Sequence, residues 1–419
     1  MKKTLISAAA FALASAALIY AGYATTKTDK NRVSNVNDAA VTISFTSLLF
    51  LYTINMNHLA KSSAFENVVN SQQKNHSTWK KFAAADVTQA IGNVPIVQLR
   101  NICRVGVTSE CFLKLESCNP GGSIKEKNAI YLVTRAEEEG LLVPGGTIIE
   151  SSSGNFGVGL AMVGAARGYR VIIVVDAKTA SPFRRMIQAY GAELVDVPLH
   201  EADESGSMQK ARMKRAKKLA ATIPHAWYPC QHLNPLNPEA HSHYTAREIE
   251  AYFSSDLDAV VVGISTAGQI MGIARYLLPR FPHLQVVGVD VEGSVIMGTP
   301  SKPYKMTGIG LSFFPPNLDL SLLTRAYVIP EAIAYSVCHA LARREGLLLG
   351  ASTGAIVAGG LHLARELGPG ARILMINPDR GDRYLETVYD SNWLSHHGFA
   401  LIEGEHLDHA IASLSPLYF

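Results

Sequence analysis

The chain has 419 residues, 48% of them apolar and 17% charged, and a net charge of +3. That length allows two lobes and a sizeable core, and that composition excludes an intrinsically disordered chain. A near-neutral balance also argues against a nucleic-acid protein, and the local basic run Lys210 to Lys218 has no interleaved aromatics for base stacking. The run reads as the solvated face of a helix.

Along the chain, Lys2 and Lys3 come first, followed by an apolar run from Leu5 to Ala24. As a helix it would span roughly 30 Å, about one bilayer core. Gly22-Tyr23-Ala24 resembles a small-residue cleavage site. A signal peptide, a membrane anchor and a start codon placed too far upstream (Met56 being a plausible alternative start) are three open readings. Membrane contact, if any, falls to residues 5–24, because the second apolar stretch, Val41 to Ile54, is short for a span. Residues 1–80 are therefore set apart as an N-terminal extension.

From about Phe82 onward two patterns alternate. Short β-branched runs read as buried strands: Thr147 to Ile149, Val171 to Val175, Leu194 to Val197, Val260 to Val262, Val286 to Val291 and Ile373 to Ile376. Amphipathic stretches read as helices: Lys125 to Glu139, Val158 to Arg167, Pro182 to Tyr190, Gln209 to Ala221, Glu239 to Phe253 and Glu331 to Glu345. Gly168 and Gly191 stand where helix C-terminal glycines belong. The expected class is α/β, with mainly parallel sheets covered by helices.

Three small-residue turns are expected to follow a strand and open a helix, which is where open α/β sheets bind ligands. They are Ser151-Ser152-Ser153-Gly154-Asn155-Phe156-Gly157, Gly263-Ile264-Ser265-Thr266-Ala267-Gly268-Gln269, and Gly350-Ala351-Ser352-Thr353-Gly354-Ala355 after Leu347 to Leu349. Helix N-termini and hydroxyls suit a phosphate or a carboxylate. Taken singly, each turn could be a tight connection and nothing more. No P-loop and no full dinucleotide fingerprint occurs.

Lys125 follows a Pro-Gly-Gly turn and opens a predicted helix, where the helix dipole opposes its charge. That placement favours a depressed pKa, as a Schiff-base lysine needs. These residues alone still leave a surface lysine open. The five cysteines are odd in number and form no CxxC, which argues against a disulfide framework or a zinc site. His225, His232, His241 and His243 match no helical metal pair, so no metal is expected. A reducing, cytoplasmic compartment fits the cysteines; the N-terminal apolar run fits export or anchoring instead.

Together these elements resemble the fold-type II (tryptophan synthase β-like) pyridoxal 5′-phosphate (PLP) enzymes, specifically the cysteine synthase and cystathionine β-synthase group. The resemblance runs from about Ala90 to Leu394. It is carried by Ile91 to Leu99 (IGNVPIVQL), NPGGSIKEK, ESSSGNFG, Gln231 to Pro238 (QHLNPLNP), Gly308-Ile309-Gly310 and Pro378-Asp379-Arg380-Gly381. It implies PLP held by Lys125 as a Schiff base, with Asn155 at the cofactor's phenolic oxygen. It further implies Ser265, Thr266, Ala267, Gly268 and Gln269 around the phosphate, and Ser352 facing the pyridine nitrogen. Ser152, Ser153, Gly154, Asn155 and Gln231 would hold the substrate carboxylate. Two lobes are implied: a larger PLP-binding domain over 81–118 plus 234–400 and a smaller mobile one over 119–233, with 401–419 as a tail. A homodimer acting on small amino acids is the family expectation.

Two positions depart from the group's usual pattern. Ala267 stands in a turn that usually reads GTGGT, and Phe156 replaces the threonine that follows the loop asparagine. Within the group, ESSSGNFGVGLAMVGAARGY, the serine-rich turn and PDRGDRYLETVYDSNWL are most similar to N-(2-amino-2-carboxyethyl)-L-glutamate synthases of siderophore (2,3-diaminopropionate) biosynthesis. That resemblance implies β-replacement through α-aminoacrylate, with O-phospho-L-serine as donor and the amine of L-glutamate as nucleophile. The alternatives are a cysteine synthase using O-acetylserine or O-phosphoserine, and a non-catalytic PLP-binding scaffold.

Overall fold

The computed structural model describes residues 84–102, 107–202 and 208–419. The apolar runs at 5–24 and 41–54, Met56 and Cys103 lie outside the described residues. Along the chain the strands are β1 (Ile96–Gln98), β2 (Glu110–Leu115), β3 (Thr147–Ser151), β4 (Arg170–Asp176), β5 (Glu193–Val197), β6 (Ala226–Trp227), β7 (Ala259–Gly263), β8 (Gln285–Val291), β9 (Arg325–Ile329), β10 (Arg372–Asn377) and β11 (Pro416–Tyr418). The α-helices are α1 (Lys125–Glu138), α2 (Asn155–Arg167), α3 (Ser181–Ala189), α4 (Gln209–Thr222), α5 (Leu236–His241), α6 (Arg247–Phe253), α7 (Gly268–Leu277), α8 (Glu331–Ala340), α9 (Ala351–Leu367), α10 (Ser391–His396) and α11 (Gly404–Ala412).

The strands form two sheets. A seven-stranded sheet runs β1-β2-β10-β7-β8-β9-β11, and a four-stranded one runs β5-β4-β3-β6. In the larger sheet β2, β10, β7, β8 and β9 are parallel, while β1 and β11 close the edges antiparallel. The smaller sheet is parallel throughout. Val260, Val261, Val262, Ile373, Leu374, Met375 and Ile376 are all buried, so β7 and β10 are covered on both faces. That is why these runs are continuously apolar and not alternating. Helix α9 is buried over its whole length from Ala351 to Ala364, and Gly354 lets it close onto the Ala334 carbonyl of α8. Cys118, Cys230 and Cys338 are free thiols.

The six expected strands and six expected helices all form, with two interruptions. Residues 239–253 divide into α5, a π-turn over Ser242–Ala246, and α6. Helix α8 likewise ends at Ala340 and widens into a π-turn over Leu341–Glu345. Leu347 to Leu349 is not a strand; only a single bridge joins Leu349 to Arg380. The Tyr389 hydroxyl takes the place of a neighbouring strand, accepting the Leu349 N–H at 3.2 Å and donating to its carbonyl at 2.6 Å.

Candidate active site

Helices α2 and α7 begin where β3 and β7 end, and one cavity opens between these ends. Lys125, Ser152, Ser153, Gly154, Asn155, Gln231, Ser265 and Thr266 all line it. Ala267, Gly268 and Gln269 stand outside the lining and carry the turn from Thr266 into α7. Ser352 is buried behind the wall, 3.3 Å from where a Cβ on the lining residue Gly308 would stand.

Lys125 is held by its own turn. Glu126 accepts the N–H groups of Gly121 and Ser123, each at 2.8 Å, which folds Pro-Gly-Gly back over the first turn of α1. Gly122 sits at φ +86°, a backbone angle that a side chain would strain. Burial pushes the Lys125 ammonium down to about 8, against a smaller opposing pull from Asp379. Burial, then, is the leading cause of the depressed pKa that the sequence reading assigned to the helix dipole.

In the loop before α2, the Ser152 hydroxyl accepts the Gly157 N–H at 2.9 Å and so satisfies one of the free donors in that helix's first turn. Asn155 is clasped on both sides of its amide. It donates to Asp379 at 2.7 Å and accepts from Arg383, whose guanidinium also reaches the Gly121 carbonyl. Tyr384 donates to the same Asp379 carboxylate at 2.6 Å. Asp379, Arg383 and Tyr384 had no role in the sequence reading, although the motif PDRGDRY was in view.

The turn from Ser265 to Gln269 has the donors that a phosphate needs. It brings two hydroxyls, the free backbone N–H groups of the α7 N-terminus, and a buried Gln269 Nε2 that has no partner among the described residues. Gly268 has no room for a Cβ against Asn237 Oδ1. Asn237 in turn donates to the Gln231 carbonyl at 2.9 Å and to Thr266 Oγ1 at 3.0 Å. PLP fits this set: Lys125 supplies an amine, and the turn supplies phosphate donors.

Ala267 adopts φ +63° and ψ −6°, the left-handed region, at a cost of roughly 1–2 kcal/mol for a side-chain-bearing residue. Ala267→Gly is expected to relieve that strain and, after glycine's entropy loss, to raise Tm by about 1 °C. A thermal melt checks this; a lower Tm would show that the turn is not strained.

Two further residues escaped the sequence reading. Arg212, inside the basic run Lys210 to Lys218, is not solvated: it is buried, paired with Asp176, and lines the cavity. His232 also lines it, and burial, helped by Arg212 and Lys125, pushes its pKa down to about 4. It is therefore a neutral imidazole at physiological pH. A second cavity adjoins the first through Ser153, Gln209, Arg212 and Tyr304; its lining carries Lys178, Arg212, Lys302 and Lys305, of which Arg212 pairs with Asp176 and Lys302 with Glu292 at 2.9 Å. No cluster of potential metal ligands occurs among the described residues.

The pyridoxal-phosphate dependent enzyme family matches residues 87–379. An N-(2-amino-2-carboxyethyl)-L-glutamate synthase from Cupriavidus metallidurans is 38% identical over 312 residues, 74% of this chain and 91% of that protein. A cysteine synthase from Staphylococcus aureus is 35% identical over 305 residues, 72% of this chain and 96% of that protein. Among solved structures, an O-ureido-L-serine synthase superposes with a TM-score of 0.69 at 34% identity, covering 75% of this chain and all of that one. A fold of this kind, a family match over most of the described chain and relatives of this similarity make the chain a member of the pyridoxal-phosphate dependent enzyme family, a β-replacement enzyme of the cysteine synthase group with PLP as its cofactor.

Proposed function

We propose that the enzyme joins O-phospho-L-serine to the amine of L-glutamate, yielding N-(2-amino-2-carboxyethyl)-L-glutamate and inorganic phosphate. The observation that carries this reading is the adjoining cavity with Lys178, Arg212, Lys302 and Lys305. A phosphorylated donor and a dicarboxylate nucleophile both need cations beyond the α-carboxylate site. Sulfide, the nucleophile of a cysteine synthase, needs none.

In this reading Lys125 holds the cofactor. Ser265, Thr266 and the amides from Ala267 to Gln269 hold its phosphate, and Ser352 faces its ring nitrogen. When bound, PLP draws electrons from Cα, which acidifies the α-proton and lets a β-substituent leave. Ser152, Ser153, Gly154, Asn155 and Gln231 fix the substrate carboxylate, so that the α-proton faces the Lys125 amine. Lys125 takes that proton, phosphate departs from Cβ, the glutamate amine adds at Cβ, and Lys125 returns the proton to Cα. Residues 119–233 close over the cavity and keep water from the reacting carbons. The enzyme acts as a homodimer in the cytoplasm, supplying a siderophore pathway. Among the described residues no helix is long and apolar enough to cross a membrane.

The test is direct. Holoenzyme with O-phospho-L-serine is offered L-glutamate or sulfide, and the products are read by mass spectrometry. The expected product is the glutamate adduct; cysteine from sulfide with no adduct from glutamate would refute the proposal in favour of a cysteine synthase.

A further inference from the structure

Glu150 stands at the end of β3, fully buried and outside the cavity lining. Its carboxyl accepts backbone N–H groups: Ser151 at 2.7 Å and Gln231 at 3.2 Å. Both of those residues line the cavity, on separate segments of chain. Burial pushes the Glu150 carboxyl up to about 8, so at neutral pH it places no full negative charge behind the loop.

Gln231 needs such an anchor. It follows Cys230, which is bent to φ +52°, a left-handed angle that a non-glycine residue keeps only when its surroundings impose it. Two contacts impose it here: Glu150 takes the Gln231 N–H, and Asn237 Nδ2 holds the Gln231 carbonyl at 2.9 Å. The same Asn237 nitrogen reaches Thr266 Oγ1 at 3.0 Å. The Gln231 peptide therefore links the loop at Ser151–Asn155 with the turn that opens α7.

We propose that Glu150 is a positioning residue of the substrate-carboxylate subsite: it fixes Gln231 against the Ser151–Asn155 loop and, through Asn237, registers that wall with the Thr266 turn. It touches no reacting atom, and its carboxyl oxygens are engaged by backbone, so it is not the general base. The inference rests on reading Ser152 to Asn155 and Gln231 as the carboxylate subsite. Without Glu150 a buried N–H loses its acceptor, and the Gln231 turn rotates to find another. The consequence is weaker binding of the amino acid, with the Lys125 chemistry left intact.

The experiment compares wild type, Glu150→Ala and Glu150→Gln as PLP-loaded holoenzymes. Each is titrated with O-phospho-L-serine and with L-alanine, which has no leaving group, and equilibrium binding is read from the cofactor absorbance. Glu150→Ala is expected to raise Kd about tenfold for both amino acids, a change of about 1.4 kcal/mol. Its cofactor content should be unchanged and its kcat within about threefold of wild type. Glu150→Gln keeps one acceptor and nearly the same volume, so it should fall between the two, and it carries the test if the alanine variant does not fold. A folded, cofactor-bearing variant with lower Tm but wild-type Kd would reduce Glu150 to a structural role and overturn the proposal. A wild type that gives no spectral response to either amino acid would sink the carboxylate-subsite reading itself, and Glu150's role with it. An enzyme that binds both amino acids but makes no glutamate adduct would refute only the substrate pair.

Discussion

Lys125→Ala is expected to abolish β-replacement, lowering kcat by about a thousandfold or more, and to leave no cofactor attached to the chain after borohydride reduction. Two roles of the amine are lost together, covalent anchorage and α-proton transfer, and general-base removal alone accounts for about 10²–10⁴. The pH dependence follows from the sign of the shift. Lys125 is lowered from an ordinary lysine value to about 8, so its amine is neutral above that pH and protonated below it. At pH 7.5 roughly a quarter of Lys125 is neutral, against about 0.1% of an ordinary lysine. Attachment of PLP to the apoprotein needs the neutral amine, so its rate should rise with pH up to about 8 and then level. A rate still climbing toward pH 10 would show that burial does not set this pKa. A Lys125→Ala protein with wild-type turnover would refute the site outright.

Much of this was legible in the sequence because its cause is local. Strands β7 and β10 are buried on both faces, so each appears as an unbroken β-branched or aliphatic run. The Lys125 turn announces itself through Pro120, Gly121 and Gly122, turn-forming residues whose fold-back is held locally by Glu126. What stayed hidden depends on partners far along the chain. Strand β2 reads ECFLKL, and its Lys114 looks like an exposed residue. It is buried because Glu248, 134 residues away, meets it. Arg212 is masked in the same way by the basic residues around it, and only Asp176 on β4 explains its inward turn. Leu347 to Leu349 has the composition of a strand, but Tyr389 occupies the ladder position that another strand would need. Asp379 and Arg383 carried no chemistry in the sequence, because Asn155, which they clasp, is more than 220 residues away.

The largest expected stability effect lies beside the site, in a buried cluster of two lysines and two glutamates. Lys127 Nζ bonds Glu116 and Glu248, each at 2.9 Å; Lys114 pairs with Glu248 and lies 3.7 Å from Glu116. Burial drives the Glu248 carboxyl upward, but Lys127 and Lys114 outweigh it and hold it below the ordinary value. The cluster also fastens the chain ahead of β1. Glu248 accepts the Asn93 N–H at 3.0 Å, and Asn119, itself bonded to Glu116 at 3.0 Å, accepts the Gly92 N–H at 2.9 Å. Lys127→Met keeps the stem but removes one positive charge, leaving two carboxylates to share Lys114. Breaking one side of such a cluster is expected to cost about 3–5 kcal/mol. At this chain length that lowers Tm by about 4–7 °C. Adding Glu116→Gln to Lys127→Met should recover part of the loss, because charge balance returns. Arg343→Gln, at the exposed pair with Glu403, serves as the control and should move Tm by about a degree at most. Equal losses from the buried and the exposed variants would show that burial does not decide the energetics. A double variant no better than Lys127→Met alone would show that packing around Lys127, not charge balance, holds α1 and its Lys125 in place.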